Sequence, residues 1–472
     1  MSEWVGGVAR SYPSESSFVV SSPAPPRTST IALAMAASWA LAFAALIAVA
    51  SMLEARVEVG LAIALFFVAQ ELGTLALVIA AATRRVTPTA STERPAVSVL
   101  IAALDEKESI ARSVRSVLAQ QDVELEVIVA DDGSTDGTAD VVRREFGDRV
   151  RVLRLPHGGK GAALERARAI ARHPVLVTVD ADTELAPHAL AELAAAFVDR
   201  RVEAAAGAVV PREPRGLLAR FQVTEYLKNT LVRSGWSALG ALDQVPGALA
   251  AIRASSLDHA GGFPTDSLTE DYEVTFRLYA AAAREGRRIA IPTIASARAY
   301  TEPPRTIAGL VRQRTRWFAG FLSTLWRFRA LVLSPGARTF GVVRLPLKVI
   351  DAVLPPIGLV SLVALLLALV SGETTLTALS IFLLAVRATT DAITHTLAIR
   401  LHRRSRQPTD RVAAPALPWL ALTAVLESWS YAWLKQLAVL RAYPFALGRV
   451  RTWERAREVP RPTSEEEAAP AE

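Results

Sequence analysis

The stretch EVIVADDGSTDG, residues 126–137, decides the fold class of this chain. It opens with a short, largely β-branched run, continues into two aspartates and a glycine turn, and then enters a helical pattern. Similar β-branched runs stand at 97–101, 150–155 and 175–179. Helical stretches separate these runs over 110–120, 137–145 and 162–172. Strands that alternate with helices predict a βαβ series and a mainly parallel sheet, so the chain contains an α/β domain.

Composition indicates that membrane-spanning segments accompany this α/β domain. The chain has 472 residues, which exceeds one ordinary domain, and 51% of them are hydrophobic. This excess is concentrated in a few apolar blocks, a pattern that indicates membrane spans. The net charge is +7, but many arginines flank the apolar blocks. They indicate positive-inside anchors beside anionic lipid, and we expect no nucleic-acid partner.

Cysteine is absent from the chain. Disulfides, thiolate metal sites and a cysteine nucleophile are therefore excluded. The six histidines show no metal-ligand spacing, so they are interpreted as structural or surface residues.

The apolar blocks divide the chain into six segments. In order, they are a disordered N-terminal segment, a transmembrane hairpin, a cytoplasmic α/β domain, interfacial helices, further transmembrane helices and a cytoplasmic tail. Their bounds are 1–28, 29–94, 95–298, 299–345, 346–447 and 448–472. The pattern leaves two to four spans open for 346–447. Within this segment, Arg387 and Asp391 are costly in lipid and typical of residues that line a path.

The first two acidic motifs follow predicted strands, at the edge where parallel sheets bind ligands. A turn with Asx capping explains Asp131-Asp132-Gly133. A carboxylate that holds the ribose or base of a nucleotide explains the same motif equally well. In Asp180-Ala181-Asp182, an extended backbone lets both carboxylates face one cation. Mg²⁺ or Mn²⁺ takes oxygen ligands and completes its shell with phosphates, which favours a metal site over a solvated loop pair.

The third acidic motif, Thr269-Glu270-Asp271, precedes a predicted helix over 272–283. A capping Thr with acidic first-turn residues explains it, and position alone favours that interpretation. The alternative is that one carboxylate deprotonates an acceptor hydroxyl.

A fourth motif, QRTRW at 313–317, combines arginine and tryptophan. Helical spacing places Gln313, Arg316 and Trp317 on one face. Arginine can pair a diphosphate bidentately and tryptophan can cover a sugar ring, whereas an amphipathic interfacial helix also explains the motif. Lys160 does not belong to a P-loop, because Arg154 and Gly161 stand where that pattern needs Gly and Ser/Thr. From the start of a helix, Lys160 can still contact phosphate.

The order of these four motifs, between apolar segments, resembles the membrane-embedded family 2 glycosyltransferases. This group includes hyaluronan, chitin and cellulose synthases and the bacterial poly-N-acetylglucosamine synthases. The resemblance runs from about Val97 to Trp317, and the connecting segments 159–160, 246–253, 261–263 and 301–304 fit it too. It implies a nucleotide-sugar-binding domain of the glycosyltransferase A type, inserted between transmembrane helices.

The resemblance also implies the reaction and its setting. A sugar would pass from a UDP-sugar to a growing β-linked polysaccharide, with inversion and with Mg²⁺ or Mn²⁺ as cofactor. The enzyme would be a multi-pass protein of the cell (inner) membrane with its catalytic domain in the cytoplasm, and transfer would be coupled to translocation. Expected partners are the UDP-sugar, a carbohydrate or lipid acceptor and membrane lipid, and accessory export proteins are compatible with this setting.

Site residues follow from the same resemblance. Asp271 would be the general base, and Asp182 would bind the metal. The donor-binding residues would be Asp131, Asp132, Lys160, Asp180, Gln313 and Arg316. The acceptor-binding residues would be Trp317 and Glu270. One departure concerns the first strand, which ends in P-A-Y-N-E in this family and in AALDE (102–106) here. Leu104 thus stands in place of the tyrosine, and donor preference stays open.

Two other functions compete with a processive synthase. A non-processive transferase that adds one sugar to a lipid carries similar motifs, and product length distinguishes the two. A membrane transporter or scaffold with a degenerate domain is the third interpretation. Intact carboxylates at all three acidic motifs argue against it.

Overall fold

The computed structural model describes seven parts of the chain: 56–83, 94–212, 216–352, 370–372, 374–405, 422–423 and 426–446. The predicted disordered segment 1–28, the first apolar run 29–53 and the tail 448–472 lie outside the described residues. Parts of the C-terminal apolar segment, 353–369 and 406–421, also lie outside them.

The described residues contain one eight-stranded sheet. Its strands are β1 Val97–Ala103, β2 Leu125–Asp131, β3 Arg151–Arg154, β4 Val175–Asp180, β5 Glu184–Leu185, β6 Ala204–Pro211, β7 Leu249–Arg253 and β8 Thr293–Thr301. The order across the sheet is β3-β2-β1-β4-β7-β6-β8-β5. The four β-branched runs of the sequence are thus confirmed as β1 to β4.

Helices surround this sheet and extend beyond it. They are α1 Arg56–Thr83, α2 Ile110–Leu118, α3 Thr138–Phe146, α4 Lys160–Ile170, α5 Ala189–Ala196, α6 Gly216–Ala238, α7 Ala254–His259, α8 Glu270–Arg284, α9 Ile307–Arg327, α10 Thr374–Ser405 and α11 Ala432–Ala446. Short 3₁₀ turns lie at Gly147–Arg149, Arg329–Leu331 and Pro335–Ala337, and π-helical turns at Phe340–Arg344 and Glu427–Tyr431. The predicted helices at 110–120, 137–145, 162–172 and 272–283 match α2, α3, α4 and α8.

The sheet is parallel in its first half and mixed in its second. Strands β3, β2, β1 and β4 all pair in parallel. Strand β7 then runs antiparallel to both β4 and β6, whereas β8 is parallel to β6 and antiparallel to β5. Because β7 is antiparallel to both of its neighbours, β6 and β8 run in the same direction as β1 to β4, so the sheet is mainly parallel as predicted. The prediction misses only the reversed strands β7 and β5.

Side chains of the central strands alternate between two cores, as the period of two requires. Val99 and Ile101 face one core with Val114 of α2, whereas Leu100 faces the other with Leu164 of α4 and Phe276 of α8. Both faces of β1 are buried, which explains why its sequence is apolar apart from Ser98.

The switch point of the sheet lies at the carboxyl end of β1. Strands β2 and β4 flank β1 on opposite sides, so the connections diverge there, and a doubly wound sheet binds ligands at such a switch point. Ala103 is level with Asp131 of β2, and Ala102 with Asp180 of β4. The first two acidic motifs thus end the two strands that flank β1, at one edge of the sheet, as predicted.

Three long helices, α1, α6 and α10, pack against one another beside the domain. Gly235 of α6 contacts α1 so closely that a Cβ there would lie 2.8 Å from Leu77 Cγ. Asp391 of α10 forms an ion pair with Lys228 of α6. The acidic side chain that the sequence placed within a span is therefore partly buried against another helix.

Among the described residues, one helical stretch, Thr377–Ser405, is long and apolar enough to cross a membrane, and Val68–Ala80 forms a shorter apolar stretch. The predicted hairpin and the two to four C-terminal spans fall partly outside the described residues, so their number stays a prediction. The polar pair Gln70-Glu71 lies within α1, which is continuous from Arg56 to Thr83.

Candidate active site

The first motif follows β2 and forms a tight turn. Asp131 Oδ1 accepts a hydrogen bond from the Ser134 backbone N–H at 3.1 Å, which is the Asx-type capping that the sequence allowed. Gly133 has φ +83°, and a Cβ there would lie 2.9 Å from the His157 backbone nitrogen. Glycine is therefore required both by the backbone conformation and by the close approach of the loop at 157–159.

Asp132 holds that loop in place. Its carboxylate accepts hydrogen bonds from the Gly158 and Gly159 backbone N–H groups at 2.8 and 2.9 Å, and lies 2.9 Å from His157 Nδ1. The Asp132 side chain is buried. Because the loop leads directly into Lys160 at the first turn of α4, Asp132 positions this lysine. The sequence did not predict that contact.

Lys160 joins two of the acidic motifs. Its Nζ lies 2.7 Å from Asp180 Oδ1, at the end of β4, and 2.7 Å from Glu270 Oε1, at the start of α8. Burial alone would lower the pKa of the Lys160 ammonium, but the charges of Asp180 and Glu270 outweigh it and raise that pKa well above its ordinary value. Lys160 is therefore a cation at the centre of the site.

The second motif offers oxygen ligands beside this lysine. Asp182 Oδ1 accepts hydrogen bonds from the Thr183 and Thr301 hydroxyls at 3.2 and 3.3 Å. Thr301 ends β8, so the far half of the sheet contributes to the site. Two carboxylates two residues apart fit a hard cation such as Mg²⁺ or Mn²⁺. Within the parts of the chain that the structure describes, no cluster of three or more His, Cys, Asp or Glu forms a candidate metal site.

The third motif begins α8, but its threonine is not a side-chain cap. Thr269 occupies the N-cap position, yet its side chain accepts no capping hydrogen bond. In the described residues its buried Oγ1 has no hydrogen-bond partner. It packs instead against Gly320 of α9, where a Cβ would lie 2.2 Å from Thr269 Oγ1. The capping interpretation of this Thr is thus wrong, because close helix packing takes the place of the cap.

Asp271 lies in the first turn of α8 and lines a small cleft with Thr178, Gly247, Glu270 and Val274. Its Oδ2 accepts hydrogen bonds from Gln244 Nε2 at 2.8 Å and the Gly247 backbone N–H at 3.3 Å. Burial and the neighbouring Glu270 carboxylate raise the pKa of Asp271, against the opposing charge of Lys160. A carboxylate with a raised pKa is a stronger base, which suits proton abstraction near neutral pH.

Gly247 shows how closely these groups converge. A Cβ at this residue would lie 3.0 Å from Lys160 Nζ, 3.1 Å from Glu270 Oε1 and 3.7 Å from Asp271 Cβ. Only a residue without a side chain leaves this space open. The geometry therefore brings residues from the second and third motifs, together with Lys160, to one point.

The fourth motif lies on α9, which packs against the start of α8. Arg316 Nη1 donates a hydrogen bond to the Leu268 backbone oxygen at 3.1 Å, directly before the third motif. Gln313 Oε1 accepts a hydrogen bond from Arg314 Nη1 at 2.5 Å. The half-buried Trp317 lies below the Arg314 guanidinium, with 4.1 Å from Arg314 Cζ to the ring centroid. The fourth motif is therefore attached to the segment that carries Asp271.

Sequence reasoning missed several residues of this site. Gln244, which contacts Asp271, carries no recognisable signal in its sequence surroundings. Arg112 and Arg212 both pair with Glu302, which directly follows Thr301, at 2.7 and 3.0 Å. Glu302 could have been predicted from its position just after a strand end. Its arginine partners could not, because they are 190 and 90 residues away in the sequence.

The chain is similar to known proteins over its α/β domain. Residues 95–320 match the family model described as "Glycosyltransferase like family 2". The chain is 28% identical over 239 residues to the poly-beta-1,6-N-acetyl-D-glucosamine synthase of Staphylococcus aureus (strain COL), which covers 50% of this chain and 57% of that protein. The Staphylococcus epidermidis protein of the same name is 28% identical over 235 residues, which covers 49% of this chain and 56% of that protein. The chain therefore spans little more than half the length of these curated relatives.

A solved structure shares the fold over most of the chain. It is a mannosyltransferase from Pyrobaculum calidifontis in complex with GDP-Man and Mn²⁺, with a TM-score of 0.52 and 20% sequence identity. The similarity covers 82% of this chain and 98% of that one. The fold is the mixed α/β fold of the A-type glycosyltransferases, with its eight-stranded sheet.

Proposed function

Residues 95–320 belong to glycosyltransferase family 2, and from this premise we propose that the chain transfers a sugar from a UDP-sugar to a growing β-linked polysaccharide. The observation that carries the proposal is the convergence of Lys160, Asp180, Glu270 and Asp271 at the carboxyl edge of the sheet. A cation between carboxylates, next to a base of raised pKa, is suited to a diphosphate leaving group and an acceptor hydroxyl.

The reaction proceeds as one in-line displacement. Asp271 takes the proton of the acceptor hydroxyl, the acceptor oxygen forms a bond to the anomeric carbon, and the bond from that carbon to the diphosphate oxygen breaks. UDP leaves with the electron pair, and an α-linked donor gives a β-linked product. Gln244 and the Gly247 N–H hold the Asp271 carboxylate in one orientation for this step.

Binding of the donor uses residues from three motifs. Asp131 and Asp132 bind the uridine portion, Asp180 and Lys160 lie near the sugar diphosphate, and Gln313 and Arg316 hold the diphosphate. Arginine and lysine suit this task, because both present charged donors to phosphate oxygens.

Acceptor binding uses Trp317, whose flat ring covers a sugar, and Glu270. An indole gives a large apolar face and tolerates the polar rim of a carbohydrate. Glu270 pairs with Lys160, so acceptor and donor sites share one ion pair.

A divalent cation, Mg²⁺ or Mn²⁺, would be held by Asp182, with diphosphate oxygens completing its shell. When bound, it neutralises charge that develops on the leaving diphosphate. Support comes from the oxygen-only chemistry of the Asp180 and Asp182 pair and from the Mn²⁺ in the mannosyltransferase complex.

We place this reaction at the cell membrane, with the catalytic domain in the cytoplasm and several spans around it. The candidate span in α10 supports this setting. On α1, Leu65, Leu72 and Ile79 recur every seven residues, and their exposed fractions are 61%, 52% and 44%. Exposed apolar side chains along one helix face are typical of a surface that contacts lipid.

The experiment offers the purified protein a panel of UDP-sugars, with GDP-mannose for comparison, in Mg²⁺ or Mn²⁺. We expect UDP release from at least one donor that depends on an acceptor. Sizing of the product distinguishes a polymer from a lipid that carries one sugar. If no nucleotide is released from any donor, the proposed function is wrong.

A further inference from the structure

Arg314 is a buried arginine in the fourth motif to which the proposed reaction assigns no role. Its Nη2 donates a hydrogen bond to Glu225 Oε2 of α6 at 2.6 Å, and its Nη1 donates one to Gln313 Oε1 at 2.5 Å. Its Cζ lies 4.1 Å from the centroid of the Trp317 ring. One guanidinium thus contacts two residues of the motif with proposed binding roles, Gln313 and Trp317, and the carboxylate of Glu225 on another helix.

Glu225 is itself held by the C-terminal helices. Tyr431 donates its hydroxyl to Glu225 Oε2 at 2.6 Å, and Lys435 Nζ lies 3.7 Å from Glu225 Oε1. The Tyr431 ring stacks on Phe221 of α6, with 5.3 Å between the ring centroids. Residues from α6, α9 and the segment at 427–446 therefore meet at this carboxylate.

The contacts of Arg314 set the orientation of both neighbours. A guanidinium can only donate hydrogen bonds, so the amide oxygen of Gln313 must face it and the amide NH₂ is turned away. The NH₂ group is the part of glutamine that can donate to a diphosphate. The planar guanidinium over Trp317 likewise fixes the plane of the indole.

An ion pair that is buried to this degree contributes little to stability by itself, because desolvation offsets the attraction. What it does fix is geometry, since the buried charges cannot separate without a large cost. We propose that Arg314, held by Glu225 and Tyr431, is a positioning residue that orients Gln313 for the donor diphosphate and Trp317 for the acceptor sugar. This inference rests on the proposed function of the two neighbours.

The test is a double-mutant cycle around Arg314→Lys. Lysine keeps the positive charge for Glu225 but cannot reach Gln313 and cover Trp317 at the same time. We expect Arg314→Lys to lower kcat/KM for sugar transfer at least about tenfold, because small displacements of binding groups are costly in catalysis. In a protein that already carries Gln313→Ala and Trp317→Phe, Arg314→Lys should lower kcat/KM by less than about threefold.

Tyr431→Phe is a milder variant of the same contacts. It leaves the ion pair between Arg314 and Glu225 intact and removes one hydrogen bond from Glu225. We therefore expect kcat/KM to fall, but by less than in Arg314→Lys. An equal fold-loss for Arg314→Lys in both backgrounds would overturn the inference, since a purely structural role acts independently of Gln313 and Trp317.

Tryptophan fluorescence separates this inference from the proposed function. Arg314→Lys should change the emission spectrum of the otherwise unmodified protein and leave that of the Trp317→Phe protein unchanged. An identical emission change in both proteins, or none in either, contradicts the orientation of Trp317 by Arg314 whether or not any sugar is transferred. Absence of transfer by the unmodified protein, with the fluorescence result as expected, overturns the proposed function alone.

Discussion

Gly320→Ala should separate stability from activity in this protein. Gly320 lies inside α9, where alanine ordinarily stabilises a helix by about 1 kcal/mol relative to glycine. Here the added Cβ would lie 2.2 Å from Thr269 Oγ1, 2.6 Å from Cγ2 and 2.8 Å from Cβ. Rotation of the Thr269 side chain cannot relieve the contact, because all three of its heavy atoms beyond Cα are too close.

The backbone must therefore move. Ordinary carbon contacts begin near 3.5 Å, so α9 and the start of α8 must separate by roughly 1 Å. Such overpacking costs about 1–3 kcal/mol, which the helix gain partly offsets, so the free energy of unfolding should fall by at most about 2 kcal/mol. Asp271 is two residues from Thr269, and a shift of about 1 Å can cost on the order of 10²-fold in rate.

The assay compares kcat for nucleotide release with thermal unfolding. We expect a large loss of kcat with a small fall in Tm. Gly336→Ala is the matched control, because its Cβ would meet only ordinary contacts, the nearest at 3.5 Å. Thr269→Gly in the Gly320→Ala protein removes the clashing atoms and should restore part of kcat. If Gly320→Ala keeps kcat within about threefold of the Gly336→Ala protein, the α8–α9 contact does not position the base.

Three further predictions concern the site itself. Asp271→Asn should lower kcat at least about 10²-fold, the usual contribution of a general base, and leave UDP-sugar binding largely unchanged in a calorimetric titration; near-normal turnover would remove Asp271 from its role. Because the Asp271 carboxylate must be ionised to accept a proton, kcat/KM should fall as the pH drops below its raised pKa. Glu270→Gln removes a charge that raises this pKa and should move the acid limb of the pH–rate profile to lower pH. An acid limb at the same or a higher pH contradicts the assignment of Asp271 as the base. Asp182→Ala, or EDTA on the unmodified protein, should abolish transfer while circular dichroism stays the same, and full activity without divalent cation would refute the metal role.

Much of the catalytic domain could be predicted from local pattern. Strands β1 to β4 are short runs that contain β-branched residues and alternate with helical stretches, so each element is recognisable within its own residues. The first two acidic motifs follow strand ends, which lie at one edge in any parallel sheet. Reaction class and candidate residues followed from the order of motifs along the chain.

Other parts of the fold could not be recognised in this way. Strands β6 and β7 read AAAGAVVP and LAAIR, and alanine has no preference for strands. They are strands because β7 finds antiparallel partners in β4 and β6, which no local pattern encodes. For the same reason, Thr269 looked like a helix cap until α9 was seen to pack on it.

What the amino-acid sequence determined by itself was the set of chemical groups and the strand ends that carry them. Tertiary structure alone decided which groups meet. Lys160 and Glu270 are distant in the sequence, yet Lys160 Nζ lies 2.7 Å from Glu270 Oε1. Arg314 likewise donates a hydrogen bond to Glu225, which is 89 residues away in the sequence. The physical reason is that side-chain periodicity is a property of neighbouring residues, whereas an ion pair between distant elements depends on how whole helices and strands pack.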